Sequence, residues 1–198
     1  MRSFRSLFAS LASAMIVAIP MLLGAAEPQE PAELLQAFIR LRGPLIEAIA
    51  ARPKIVAAVA EQNALNRPLE EVQQIDADWR SQKDLTPLRE ALESKPAGQL
   101  LKGFVTRAAR MYSEALLIDN QGALVAAHPT PSDYWQGDEE KFQAPWKSGK
   151  LHVGRIRFDE STQVYASPVS VLVFDDDGTQ IGVLVMGVRL SKGTPASD

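Results

Sequence analysis

The chain has 198 residues, of which 46% are apolar and 23% are charged, the balance of an ordinary globular protein. It contains no cysteine, which excludes disulfides, thiol nucleophiles and thiolate-ligated metals, and its net charge of −3 argues against general binding of nucleic acid. The sequence shows no phosphate-binding glycine loop, no G-x-S-x-G motif and no H-E-x-x-H motif. We therefore expect no enzyme, no cofactor and no nucleic-acid partner.

The first 26 residues have the three parts of a secretory signal peptide. Arg2 and Arg5 precede an uncharged stretch, Leu7–Ala26, that ends in small residues suited to cleavage. Such a signal would direct the chain to the periplasm. Because its cleavage removes two arginines and no acid, 172 residues with a net charge of −5 would remain. The alternative is an uncleaved membrane anchor, since about 20 uncharged residues nearly span a bilayer. Pro20 and the many small residues weaken that alternative.

The region after the signal is predicted to be helical, because its apolar residues recur at spacings of three and four. The first apolar stripe consists of Leu34, Phe38, Leu41, Leu45 and Ile49. Gly43-Pro44 interrupts this stripe, which predicts either a kink or the start of a new helix. Pro53 predicts a second helix start.

Three further helices are predicted before the chain changes its periodicity. Leu69–Arg80 has one apolar face, and Asp76 and Trp79, one turn apart on it, are expected to fix the packing of the helix. The other two are a short helix over Leu88–Leu92 and a longer one over Gln99–Met111.

Beyond residue 111 the apolar residues alternate, which is typical of strands. Glu114–Asp119 and Ala123–Ala127 form a predicted hairpin around a tight turn, and a short helix begins at Asp138–Glu140. Three more strands are predicted over Leu151–Phe158, Gln163–Phe174 and Thr179–Leu190. Asp175–Gly178 is predicted to be a hairpin turn, because it lacks the glutamate that would complete a calcium-binding loop.

These elements predict an α+β fold, with long N-terminal helices packed on one face of a five- to six-stranded antiparallel sheet. The predicted organisation is a signal peptide at 1–26, a helical region at 27–111, a sheet at 112–190 and a polar tail at 191–198. The helical region and the sheet are predicted to form one domain, since the chain without its signal peptide has the length of one.

The order of the motifs resembles that of single Cache domains, the PAS-like extracytoplasmic sensor domains of bacteria. The resemblance is carried by the hairpin Ile118–Val125, the loop Ser132–Phe142, which reads SDYWQGDEEKF, and the ending Asp177–Leu184. Gln62–Ala64 and Ile75–Arg80 are similar to the helices of small secreted members. The likeness runs from about residue 34 to residue 190.

The resemblance implies a long N-terminal helix against the PAS-like sheet, and a small-ligand pocket between the sheet and the loop on its other face. Most Cache domains lie between two membrane helices and feed an output domain, whereas this sequence has no second apolar span and no output domain. We therefore expect the protein to report through another protein or to act as a soluble binder.

The loop that carries the resemblance contains three candidate ligand-binding residues, Asp133, Tyr134 and Trp135. Two large rings exposed together would leave an apolar patch, so they are expected to fold inward and line a site. The alternative is that both rings merely fill the open face of the sheet. Asp133 either binds a ligand ammonium group or caps the local turn.

A second group of candidates lies on two neighbouring predicted strands. Arg155 and Arg157 share a strand face with Val153, and a guanidinium there could hold a carboxylate by two hydrogen bonds. The alternative is a solvent-exposed face with cross-strand pairs. Tyr165 and Ser167 share a face of the next strand, so these two side chains and an arginine could lie together. The predicted ligand-binding residues are Asp133, Tyr134, Trp135, Arg155, Tyr165 and Ser167.

The sequence thus predicts a non-catalytic periplasmic module of Cache type that binds a small carboxylate or amino-acid-like metabolite and serves signal transduction. The alternative is a pocketless interaction protein whose N-terminal helix pairs with a membrane signalling receptor or with a second copy of the chain. A hydrolytic enzyme is disfavoured by the missing motifs. No metal site is expected, because His128 and His152 occur singly.

Overall fold

A computed structural model describes residues 31–81, 87–159 and 164–190. The predicted signal peptide and the predicted polar tail lie outside these residues. The helices are α1 (Pro31–Ala50), α2 (Pro53–Asn63), α3 (Leu69–Ser81), α4 (Pro87–Ser94), α5 (Pro96–Arg107) and α6 (Glu140–Ser148). The strands are β1 (Tyr112–Ile118), β2 (Leu124–His128), β3 (His152–Val153), β4 (Arg157–Asp159), β5 (Val164–Phe174) and β6 (Gln180–Leu190). Within the described ranges, no helix has the length and apolarity needed to span a membrane.

The first helix differs from its prediction in two ways. α1 continues through Pro44, so the prediction of a new helix start there is wrong, whereas Pro53 does begin α2. The buried face of α1 contains Ile46 and Ile49, but Leu41 is 78% exposed and Leu45 is 43% exposed. The helix therefore turns a neighbouring face toward the sheet, and Leu41 and Leu45 of the predicted apolar stripe lie in solvent.

The strands form one antiparallel sheet in the order β2-β1-β6-β5-β3, with β4 also paired to β5. This arrangement confirms the predicted α+β class, and its six strands lie within the predicted range of five to six. The single strand predicted over Leu151–Phe158 is wrong, since β3 and β4 are separated by residues 154–156. Pro168 of β5 lies opposite this gap, and because proline has no N–H to donate, the ladder is interrupted there.

Helices cover both faces of the sheet, which corrects the prediction that they pack on one face. The first face packs against α1, α2 and α5 through a cluster that includes Ile46, Val59 and Leu101. The second face packs against α3, α4 and α6, where Val72, Leu92 and Phe142 belong to a separate cluster. Alternate residues of the central strands supply the two clusters, as the pleat of a strand requires.

The turn from α4 to α5 depends on a glycine within α5. A Cβ at Gly98 would collide with the carbonyl oxygen of Leu92 and would lie 2.8 Å from the Glu93 backbone. The absent side chain thus allows the two helices to approach closely. Gly103 lies in the same helix, and a Cβ there would meet no atom closer than 3.9 Å.

Replacing these two glycines should have opposite effects on stability. Gly98→Ala should lower the free energy of unfolding by about 1–3 kcal/mol, because backbone atoms of α4 must move. Gly103→Ala should raise it by about 0.5–1 kcal/mol, because alanine favours a helix interior. Urea denaturation measures both values, and a Gly98→Ala protein as stable as the parent would contradict the close approach.

Candidate functional site

The loop after β2 is attached to α3 by a buried carboxylate. Asp76 Oδ1 accepts the backbone N–H groups of Tyr134 at 2.7 Å and of Trp135 at 3.0 Å. The other oxygen of Asp76 lies 2.9 Å from Arg80 Nε, and Arg80 also lies 3.5 Å from Asp133 Oδ2. Because a buried charge is stable only when it is paired and hydrogen-bonded, this arrangement holds the loop in one position.

Aromatic packing reinforces that attachment. The rings of Trp79 and Tyr134 are 5.8 Å apart, and the Trp79 indole N–H donates to the Pro131 carbonyl. The Arg89 guanidinium lies 4.1 Å from the centre of the Trp79 ring. The prediction that Asp76 and Trp79 fix the packing of α3 is therefore confirmed, and their partner is the loop.

Tyr134 is one of the largest fully buried side chains, and it belongs to the core cluster of the second sheet face. Burial raises the pKa of its phenol, and the charge of Asp119 raises it further, while Arg67 and Gln62 act in the opposite direction. The phenol consequently stays protonated to a higher pH than that of an exposed tyrosine.

Trp135 and the tight turn of the β1–β2 hairpin fit against each other. The Trp135 indole N–H donates to the Gln121 carbonyl at 2.9 Å. A Cβ at Gly137 would lie 2.4 to 2.8 Å from the indole ring, and one at Gly122 would lie 3.1 Å from its nitrogen. Both glycines thus make room for the ring, which explains why Trp-Gln-Gly occurs in this loop.

The C-terminal end of α2 holds the same hairpin from the other side. Gln62 donates to Asp119 Oδ2 and to the Leu124 carbonyl, each at 3.0 Å. Asn63 accepts the backbone N–H of Asn120 and donates to the Ile181 carbonyl at 2.8 Å. The two polar residues therefore connect α2 to the hairpin and to β6.

A cavity of about 570 Å³ opens on the second face of the sheet. Glu114, Gly187 and Pro168 form one row across β1, β6 and β5 at its floor. A Cβ at Gly187 would lie 2.7 Å from Glu114 Cγ, so the missing side chain leaves room for the glutamate. A volume of this size falls in the range of about 300–1,000 Å³ that is usual for small-molecule sites.

The walls of the cavity carry charges of both signs. Lys141 and two acids, Glu139 and Glu140, come from the beginning of α6, and Lys141 Nζ lies 3.2 Å from Glu139 Oε2. Arg155 and Arg157 come from the segment around β4. Such a lining offers guanidinium and ammonium groups to a carboxylate, and carboxylates to an amine.

The predicted site residues fall into two groups. Arg155 and Ser167 line the cavity, and Tyr165 packs beside it on Phe158 at 5.0 Å between ring centres. Ser167 is buried and donates to the Gly154 carbonyl at 2.7 Å. Asp133, Tyr134 and Trp135 are not among the residues that line this cavity, and they make the loop contacts described above. The six residues are therefore not brought together.

The expected shared face of Arg157 and Val153 is not observed. Val153 pairs with Val169 and packs toward the first face of the sheet, whereas Arg157 pairs with Ala166, which lines the cavity on the second face. The interruption between β3 and β4 breaks the simple alternation on which that prediction depended.

Most residues that line the cavity were not predicted from the sequence, and Glu114, Gly187 and Lys141 are among them. Gly187 gives the clearest signal, because a glycine inside an otherwise apolar strand often marks a close approach or a binding site. Glu114 and Lys141 carry no such signal, since charged residues are common at strand and helix ends.

Each of the two histidines lies near one glutamate. Within the ranges that the structure describes, no group of three or more histidine, aspartate or glutamate side chains is arranged to hold an ion. His128 lies 3.4 Å from Glu93, and His152 lies 3.6 Å from Glu140.

Comparison with known proteins gave similar structures only. No protein-family model matches the chain, and no curated protein shows significant similarity to it. Similar solved structures include the ligand-binding domain of the Pseudomonas aeruginosa amino acid chemoreceptor PctC in complex with GABA. It is 15% identical with a TM-score of 0.45, and the match covers 81% of this chain and 57% of that one.

Two others are an isoleucine-bound sensory domain and an extracellular receptor. The first, from the Campylobacter jejuni chemoreceptor Tlp3, is 16% identical with a TM-score of 0.37, over 83% of this chain and 64% of that one. The second, an extracellular ligand binding receptor from Desulfohalobium retbaense, is 16% identical with a TM-score of 0.38, over 68% and 24%.

The chain thus spans less than two thirds of the length of each of these three structures. The three structures are named as a ligand-binding domain, a sensory domain and a ligand-binding receptor. At TM-scores below 0.5, the similarity assigns neither a ligand nor a partner to this chain.

Asp76 can be tested against an aspartate on the exposed side of the same helix. Asp76→Ala should lower the free energy of unfolding by about 2–4 kcal/mol, because two backbone N–H groups and Arg80 lose a charged partner. Asp78→Ala should change it by less than about 0.5 kcal/mol, since Asp78 is exposed and accepts a hydrogen bond from the likewise exposed Gln74. Equal losses in urea denaturation would show that Asp76 does not hold the loop.

Proposed function

We propose that the protein is a non-catalytic, periplasmic small-molecule sensor module, and that its ligand is a small metabolite with a carboxylate group. The observation that carries the proposal is the cavity of about 570 Å³ on the second sheet face, whose walls present Arg155, Arg157 and Lys141. A guanidinium recognises a carboxylate through two parallel hydrogen bonds, which gives both affinity and orientation.

The same cavity favours a ligand that also has an amine. Glu114, Glu139 and Glu140 line it together with the three cations, so an amino-acid-like molecule would find a partner for each of its charges. A neutral apolar ligand fits less well, because it would leave charged groups without water or a counter-charge.

The proposed export to the periplasm is supported by the signal-like first 26 residues. When the module binds its ligand, it would pass this signal to a membrane signalling receptor or to another protein.

Ligand binding should be visible as stabilisation. A compound at a hundredfold excess over its Kd should raise the free energy of unfolding by about 2.7 kcal/mol. Differential scanning fluorimetry with amino acids, GABA, monocarboxylates, dicarboxylates and simple amines would identify the class, and titration calorimetry would give Kd. Arg155→Gln should weaken binding about tenfold or more, because a charge-assisted hydrogen bond is lost.

The matched control is Arg110→Gln, which removes an exposed arginine outside the cavity and should leave Kd within about twofold. A flat thermal response to every compound class, or equal Kd values for the two variants, would contradict the proposed function.

A second candidate function is an interaction module, and one observation favours it. Leu41 and Leu45 lie one turn apart on α1 and are both exposed. An exposed apolar pair on a helix suits pairing with a receptor helix or with a second copy of this chain.

If α1 pairs two copies of the chain, light scattering after size exclusion should give the mass of a dimer. The double substitution Leu41→Gln and Leu45→Gln should shift that mass to a monomer, because the apolar contact is lost. Leu69→Gln, which changes a comparably exposed leucine of α3, should leave the mass unchanged. A parent protein that is monomeric at high concentration would contradict self-pairing.

A further inference from the structure

A second cavity, of about 410 Å³, lies between α2 and α5 on the side of the sheet opposite the proposed ligand site. Leu100, Gly103 and Phe104 of α5 form apolar parts of its lining. Its charged lining residues are Arg52, Lys54 and Arg107, and no acid is among its lining residues. In a chain with a net charge of −3, this is a local concentration of positive charge.

Within the described ranges, none of the three cations of this cavity forms an ion pair within 4.0 Å. The Arg52 guanidinium carbon lies 5.0 Å from the centre of the Phe104 ring. That contact orients the cation beside the apolar floor.

A neighbouring cavity of about 500 Å³ extends the same surface along α2. The two cavities share Lys54 and Pro96, and the second is lined by Lys95 and Leu65 and by a single acid, Glu61. We call both cavities together the basic groove. Since α2 has 11 residues, the groove runs for about 16 Å along it.

The groove also contains two residues that helix electrostatics disfavours. Arg52 and Lys95 occupy the N-cap positions of α2 and α5, where neither side chain caps its helix. A cation near the positive end of a helix dipole costs free energy, and an anionic group bound beside it would remove that cost. The two positions therefore agree with the charge of the cavity lining.

We infer that the basic groove is a docking surface for an acidic peptide segment of a partner protein. Carboxylates of the segment would meet Arg52, Lys54 and Arg107, and an apolar side chain would contact Phe104. The concave shape favours a peptide over a flat bilayer surface, and about five extended residues would fill 16 Å. The inference stands on residues outside the proposed ligand cavity, so either can fail alone.

The probe is a fluorescein-labelled peptide in which glutamates surround a central phenylalanine. The full chain should bind it about tenfold more tightly than the same peptide with glutamine in place of glutamate, and added salt should weaken binding. Lys54→Gln with Arg107→Gln should weaken binding about tenfold. Lys150→Gln, an exposed lysine outside the groove, should change it less than twofold. Backbone amide spectra should shift at Gln99 and Gly103.

Several results would overturn the inference. Equal affinity for the two peptides, unchanged affinity in the double variant, or amide shifts confined to the other side of the sheet would each do so. Binding to phosphatidylglycerol vesicles without binding to the acidic peptide would assign the groove to a membrane surface instead. Self-association that the double variant abolishes, again without peptide binding, would assign the groove to a second copy of the chain.

The folding of the variants is controlled separately. All substituted side chains are exposed, and circular dichroism verifies that each variant folds.

Discussion

The second face of the sheet depends on one buried carboxylate. Asp76 accepts two consecutive backbone N–H groups of the loop and pairs with Arg80, so a single side chain determines where Tyr134 and Trp135 lie. Removing a carboxylate from water is costly, and this cost is offset only when every one of its partners is in place. The loop therefore has one low-energy position, with Tyr134 in the core and the Trp135 indole on the hairpin turn.

That position divides the second face into a filled part and an open part. Where Tyr134, Trp79 and Phe142 cover the sheet, large side chains meet and leave a packed core. Near Gly187, Pro168 and Ala166 the sheet carries only small side chains or a proline ring, and α6 and the segment around β4 surround this area. The cavity thus occurs where the strands lack bulk, and charged residues from its surroundings line it.

Strand β6 contributes to the floor of the ligand cavity and contacts α2. Gly187 lies in the floor of the ligand cavity, and Gly182 lies against α2, where a Cβ would be 2.8 Å from a methyl carbon of Val59. α2 in turn forms one side of the basic groove. A ligand at one end of β6 and a partner on α2 would therefore act on two elements that contact each other. β6 is itself held in the sheet by its long antiparallel pairing with β5.

The sequence by itself determined the class of the fold and the position of most elements, because period and turn chemistry are local properties. The hairpin around Gly122, the turn at Asp175–Gly178 and the helix over α3 were all predicted within a few residues. The resemblance pointed to the loop at Asp133–Trp135 as unusual, and the sequence separately marked Asp76 and Trp79 as packing residues. Only the tertiary structure joined these observations, since the contact spans 58 positions in the chain.

Side-chain direction was decided by tertiary structure alone. Leu41 and Leu45 share a periodic stripe with Ile49, yet α1 is rotated so that Ile46 and Ile49 meet the sheet. Arg157 reaches the cavity face because Pro168 of β5 interrupts the pairing of β5 with the segment that runs from β3 to β4. An alternation rule applied to residues 151–158 could not take account of a proline on another strand. Local spacing specifies which residues can share a face, whereas packing against distant elements specifies which face becomes buried.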